Sequence, residues 1–179
     1  MITLSKREKM VKSGETFEGT VSVYSLLTVN CIIKNNYRFY SPRIFRGTET
    51  DVIIITNSKI YCVECKNFNG YLSGSRLDLE WTFTSSGKKG SVLNPVLSNS
   101  KHVRTIRSLL RVSGNPLYDI ESVVCVPDGT QIHTECSEVI NLSTFMRVLK
   151  RDSELPTIYN IEDVSRVLDE LKWESEVKL

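Results

Sequence analysis

The sequence predicts an α/β fold, a mixed β-sheet flanked by helices, and three observations predict it. Residues 51–55 are a near-continuous β-branched run, the pattern of a strand buried on both faces. A second strand-like segment, residues 60–66, follows at once after the turn Asn57-Ser58-Lys59. Helical periods precede and follow this pair. The resulting order of helix, four or five strands, helix, two strands and two helices is that of a sheet covered by helices.

The first helix is expected over residues 15–27, where Phe17, Val21, Tyr24 and Leu27 recur at a helical period and Ser13 or Gly14 can cap the start. Residues 37–45 are β-rich but contain Pro42, so they read as an edge or irregular strand. Asn69-Gly70 is a turn signal. Residues 71–75 and 80–84 then form a meander, and residues 85–90 a polar loop carrying Lys88 and Lys89. Asn94-Pro95 opens a helix that runs to about Val112, since proline suits a first helical position. Strands follow at 121–126 and 138–142, and Ser143 caps a helix that ends near Lys150. In the last helix, 161–173, Ile161, Val164, Val167, Leu168 and Leu171 share a face.

A chain of 179 residues, 40% hydrophobic and 25% charged, fits one domain spanning 1–179. Twenty-three basic against 21 acidic residues leave a net charge of +2, so any nucleic-acid surface has to be a local patch. The polar segment from Met1 to Lys12 has no apolar stretch of the secretory kind, and no run approaches the roughly 18 apolar residues of a membrane span. A cytoplasmic protein without a membrane partner is the expectation. Five cysteines, an odd number, suggest free thiols. Cys62 and Cys65 lie three residues apart on one strand, about 10 Å, and face opposite sides. They are expected to share neither a metal nor a disulfide.

The informative region runs from Asp51 to Lys66. If Thr56 faces Lys59 across a tight turn, Asp51 falls opposite Glu64, with Cβ atoms about 4.5–5.5 Å apart. Lys66 lies on the Glu64 face with Ile60 and Cys62, while Tyr61, Val63 and Cys65 point the other way. Two carboxylates forced together in a partly buried place repel, and a divalent cation relieves that repulsion. The neighbouring lysine can then orient or deprotonate an attacking water. A Glu–Lys pair at a strand end, with Asp51 as a loop residue, is the competing structural explanation.

At these residues the chain resembles the nuclease-related domain (NERD) family, a branch of the PD-(D/E)XK phosphodiesterases. The resemblance extends through Gly47-Thr48-Glu49-Thr50-Asp51, Ile60 to Gly70 with Glu64-Cys65-Lys66-Asn67, Trp81, and Asn94-Pro95 with His102 beyond. It covers roughly Lys12 to Val126, and residues 127–179 are expected to complete the same domain. It implies a restriction-endonuclease-like fold and hydrolysis of phosphodiester bonds in DNA with Mg²⁺ or Mn²⁺. Asp51 and Glu64 would hold the metal, Cys65 would offer its carbonyl, and Lys66 would be the catalytic lysine. A first-helix acid is implied as well, and Glu18 fits it best, with Glu15 as the alternative. Two positions depart from the family's pattern. Phe17 stands where Gly usually precedes the helix Glu, and Ser98 stands where a Gln usually reaches towards the site.

For nucleic-acid contact the candidates are Lys88 and Lys89 together with Ser98, Lys101, His102 and Arg104 on the helix after Pro95. Arg107 and Arg111 extend the strip, whose other explanation is a solvated helix face. Arg38, Arg43 and Arg46 form a second cluster. Phe68 and Tyr71 either stack on bases or pack in the core. The alternative function is a catalytically silent module of the same fold that binds nucleic acid or protein. A homo-oligomer or a protein partner stays open.

Overall fold

The computed structural model describes residues 17–41, 46–68, 70–85 and 87–172. Helix α1 (Phe17–Thr28) leads into β1 (Ile32–Ser41), β2 (Arg46–Ile55) and β3 (Ile60–Cys65). Next come β4 (Tyr71–Ser73), β5 (Glu80–Ser85) and β6 (Lys88–Leu93), then α2 (Pro95–Val112). The chain continues through β7 (Ile120–Val126), β8 (Gln131–His133), β9 (Val139–Asn141), α3 (Leu142–Ser153) and α4 (Ile161–Glu170). The strands build two mixed sheets, a main one ordered β1-β2-β3-β7-β9 and a smaller one ordered β6-β5-β4-β8. Flanked by these four helices, the chain has the α/β, restriction-endonuclease-like architecture that the sequence predicts.

The β-branched run is apolar throughout because the main sheet is covered on both sides. On one face Ile53, Ile55, Ile60 and Cys62 pack against Val103, Ile106 and Leu110 of α2 and Val164 and Leu168 of α4. On the other, Val52, Ile54, Tyr61, Val63 and Cys65 meet Val21 of α1 and Phe145 and Leu149 of α3. Burying each such aliphatic side chain contributes about 1.5–3 kcal/mol. The small sheet sets Leu72 and Trp81 against Val96, Val124 and Val126.

Turn chemistry sets the register of the central hairpin. The Thr56 amide donates to the Lys59 carbonyl, and Thr56 Oγ1 accepts from the amides of Ser58 and Lys59. Ile55 therefore pairs with Ile60, Ile54 with Tyr61, Ile53 with Cys62 and Val52 with Val63, as the turn predicts. Cys62 and Cys65 lie in different cores, and all five cysteines are free.

Elsewhere the elements differ from expectation. Residues 85–90 are not a polar loop: Lys88 begins a strand, and Gly87, at φ 77°, makes the hairpin turn before it. Gly90 sits under the Phe83 ring, where an added Cβ would lie 2.8 Å from Phe83 Cζ, so a strand position looks like loop composition. Strand β8 and an earlier start for β1, at Ile32, are also new. Asn141, not Ser143, stands at the N-cap position of α3, without a side-chain cap bond, and the Ser143 amide donates to Asp128 Oδ1 at 2.8 Å. The last helix ends at Glu170. Ser13, Gly14, Glu15, Pro42, Arg43, Asn69 and Trp173 lie outside the described residues. Among the described residues, no helix is long and apolar enough to cross a membrane.

At the hairpin end of the main sheet, Asp152 occupies the last turn of α3, where a helix dipole disfavours negative charge. Its carboxylate accepts from Tyr61 Oη and Arg151 Nε, both at 2.7 Å, and lies 3.5 Å from Lys59 Nζ. Burial pushes the Asp152 carboxyl up, but the bonds from Arg151 and Tyr61 and the Lys59 charge outweigh it, and the group titrates below the usual carboxylate range. A depressed folded pKa adds stability that is present above the unfolded pKa and lost as pH falls through the folded one. Asp152→Ala is expected to destabilise the chain by about 1.5–3 kcal/mol at neutral pH. Urea unfolding of parent and variant, repeated from pH 7 to below about pH 4, checks this, because the gap between the two has to narrow in acid.

Candidate functional site

Beyond Val52 and Val63 the central strands part. Strand β2 stays paired with β1, from Tyr37↔Thr50 to Ser41↔Arg46. Strand β3 stays paired with β7, through Glu64↔Val124 and Cys65↔Cys125. The main sheet thus forks at its centre. In an unbroken antiparallel ladder the Cys65 amide would meet the Thr50 carbonyl. Here it donates instead to Asp51 Oδ2, at 2.8 Å. Since strand amides lie in the plane of the sheet, the Asp51 carboxylate sits in the gap between the two arms.

The side-chain alternation of β1 and β2 shifts by one at the same level. Asn36 adopts φ 47°, a left-handed conformation that asparagine tolerates better than most residues. Lys34 and Tyr37, an odd number of residues apart, both reach Asp169 of α4, at 2.7 and 2.5 Å. On β2, Ile53 packs on the α2 side, yet Thr48 also contacts α2, through His102. The expected register holds as far as Val52↔Val63. A flat face-to-face opposition of Asp51 and Glu64 does not, because the amide left over at the fork draws the Asp51 carboxylate into the sheet plane.

Glu64 stands on the β3 arm with its side chain only 10% exposed. Its Oε1 pairs with Lys66 Nζ at 2.6 Å, and its Oε2 lies 3.7 Å from His102 Nε2. His102 Nδ1 in turn hydrogen-bonds Thr48 Oγ1 on the β2 arm. Burial, the largest influence, raises the Asp51 pKa. The Cys65 amide and Lys66 pull it back, and the charges of Glu64 and Glu18 push it further up. Glu18, in the first turn of α1, thus approaches from the opposite side of the sheet. Phe17 beside it packs into the core beneath α1. Burial lowers the His102 pKa, Glu64 opposes this, and Lys66 and Lys101 reinforce it, which favours the neutral imidazole.

The other candidates are distributed as follows. Lys101 and Arg104 are exposed on α2, and Ser98 is half-buried one turn before His102. Arg107 is tied to the Ile120 carbonyl at 2.9 Å. Lys88 and Lys89 are exposed on the small sheet, at the start of β6. Arg38 pairs with Glu49 at 2.8 Å. Phe68 stacks on Phe83 with centroids 4.3 Å apart, and Tyr71 meets His133 edge-on, so both rings pack within the protein.

Sequence reasoning missed Asn99. Its Nδ2 donates to the carbonyls of Cys62 and Val123 and to Ser122 Oγ, at 2.8, 3.0 and 2.9 Å. These bonds seat α2 on β3 and β7 one turn before His102. The signal was a lone amide on the apolar face of α2, aligned with Val96, Val103 and Ile106.

The donors suit a hard cation. Asp51 uses Oδ2 for Cys65, and its Oδ1 makes no hydrogen bond among the described residues. Within those residues no three His, Cys, Asp or Glu side chains converge into a closed cage. Two carboxylates with a main-chain carbonyl, the remaining positions left to water and substrate, is the arrangement Mg²⁺ accepts.

Comparison with known proteins gives a family. The family profile described as nuclease-related domain, NERD, matches residues 14–127. An uncharacterized protein of Bacillus anthracis is 36% identical over 63 residues, 35% of this chain and 30% of that protein. The match therefore spans about a third of the relative's length. No solved structure matches the chain significantly.

The crowding of Asp51, Glu64 and Glu18 has a thermodynamic consequence. A carboxyl whose folded pKa is raised subtracts stability once pH exceeds its unfolded value. In EDTA at pH 7, Asp51→Asn, which keeps an acceptor for the Cys65 amide, is expected to melt no lower than the parent. A gain of about 1 kcal/mol would appear as roughly 2–4 °C. Thermal melts between about pH 4 and pH 8 test this, and a variant less stable than the parent throughout would contradict it.

Proposed function

The chain belongs to the nuclease-related domain family, and on that premise we propose that it hydrolyses phosphodiester bonds in DNA with Mg²⁺ or Mn²⁺ as cofactor. One observation supports this above the others. At the fork, Asp51 and Glu64 are within electrostatic reach of each other, and the Lys66 ammonium lies against Glu64. Asp51 and Glu64 are the residues that would hold the cation, with the Cys65 carbonyl and Glu18 nearby. When bound, Mg²⁺ or Mn²⁺ supplies Lewis-acid charge that polarises the scissile phosphate.

Lys66 carries the rest of the chemistry. Its ammonium orients the attacking water and offsets the negative charge that builds on the phosphorane-like transition state. Burial of Glu64 beside it keeps water from screening that charge. Lys101 and Arg104 on α2, with Lys88 and Lys89 on β6, would follow the phosphate backbone. Ser98 favours the competing reading of a silent binding module, because its side chain is short where the family usually has a Gln.

Cleavage of linear, circular and single-stranded DNA in Mg²⁺, Mn²⁺ or EDTA separates the two. Lys66→Ala is expected to lose about 10²–10⁴-fold in rate while metal affinity survives. Asp51→Ala and Glu64→Ala should weaken the metal without weakening DNA binding in EDTA. Absence of cleavage in every metal, with DNA binding indifferent to Mg²⁺, would identify the binding module.

A further inference from the structure

From α2, the His102 ring meets both arms of the fork. Its Nδ1 bonds Thr48 Oγ1 on the β2 arm, and its Nε2 faces Glu64 Oε2 on the β3 arm at 3.7 Å. Its side chain is 19% exposed, and its backbone sits on the turn of α2 that follows the Asn99 anchor. A contact to substrate does not require this arrangement.

A neutral imidazole has one donor nitrogen and one acceptor nitrogen, and its partners choose between them. A carboxylate can only accept, so a lone pair on Nε2 aimed at Glu64 would be repelled. A hydroxyl can donate or accept. Only one assignment satisfies both neighbours: Thr48 O–H donates to Nδ1, and Nε2–H points at Glu64.

We propose that Thr48 and His102 form a positioning pair for Glu64. The Thr48 hydroxyl selects the Nε2–H tautomer and fixes the ring plane. The ring then presents Nε2–H towards Glu64 Oε2 from the helix side, at 3.7 Å, while Lys66 pairs with Oε1 from along the strand. With Oε1 paired to Lys66 and a fixed N–H dipole facing Oε2, the carboxylate favours one orientation relative to Asp51 across the gap. Outer partners of this kind typically change metal affinity by about 10–100-fold. This deepens the nuclease reading by adding Thr48, and it recasts His102 from a substrate contact to a positioning residue.

The chain contains two histidines, so ¹⁵N ring labelling with a His133→Gln control assigns His102 directly. Long-range ¹H–¹⁵N correlation at about pH 8, where a histidine of ordinary pKa is neutral, should give the Nε2–H tautomer in the parent and in Thr48→Ser. Thr48→Val, matched in shape, should give a mixture. Calorimetric titration with Mn²⁺ should show affinity falling about tenfold in Thr48→Val and recovering in Thr48→Ser, with the KM for DNA unmoved. An Nδ1–H tautomer in the parent, or a tautomer unchanged in Thr48→Val, overturns the proposal. So does a variant whose KM for DNA rises while Mn²⁺ affinity stays. Should the parent neither bind Mn²⁺ nor cut DNA, the nuclease reading falls, and the tautomer experiment alone decides the Thr48–His102 pair.

Discussion

A peptide amide that loses its ladder partner inside a protein has to find another acceptor, because an unpaired buried donor costs about 1–3 kcal/mol. The Cys65 amide is in that position where β2 leaves β3, and the Asp51 carboxylate meets it. Much else at this end of the molecule depends on that bond. It turns Asp51 into the plane of the sheet rather than above it. It fixes the main chain at the residue between Glu64 and Lys66, so one hydrogen bond sets the relation of three side chains. The divergence that creates the need is upstream, where Asn36 takes a left-handed conformation and β1 and β2 exchange their faces.

The two ends of the main sheet are organised in contrasting ways. At the hairpin end, the Asn57 carbonyl accepts the amides of Ile158 and Tyr159, and Ser58 Oγ donates to the Asp152 carbonyl. Tyr61, Lys59 and Arg151 surround the Asp152 carboxylate, and every charge there has a near neighbour of opposite sign. At the forked end, the charges of Glu64 and Glu18 both act on Asp51, with Lys66 as the near cation. Such an imbalance is tolerable because the closed end and the two cores hold the strands together. Proteins commonly give up some stability in this way where a site needs uncompensated charge.

Much of this was legible in the residues. The turn after Ile55 fixed the pairing through Val52↔Val63, and Asn94-Pro95 marked the start of α2 to the residue. Strand β6 was hidden because its outward residues are polar and Gly90 is small for a packing reason, a clash with Phe83 that only the fold makes visible. The exchange of faces at Asn36 was hidden for another reason. It needs one positive φ within a stretch whose composition is otherwise that of a plain strand. His102 stood out in the sequence, but its link to Thr48 joins residues 54 apart in the chain, and no local pattern reports it.

Helix α2 is fastened by polar side chains from its N-cap to Arg107. Asn94 gives its amide hydrogens to the carbonyls of Ser75, Arg76 and Asp78, while its oxygen takes the first helical amides. Asn99 grips β3 and β7, His102 reaches β2, and Arg107 holds the Ile120 carbonyl. A helix bolted at three levels to three different strands, and at its start to a loop, can neither slide along its axis nor roll about it without breaking several bonds at once. It therefore behaves as a rigid keel, joined through Asn94 to the loop between β4 and β5. The β1–β2 arm beyond Val52 is tied to this keel through the hydrogen bond between Thr48 and His102. That bond is then a latch: losing it would free the β1–β2 arm from the keel at Thr48 while leaving the other anchors of α2 in place.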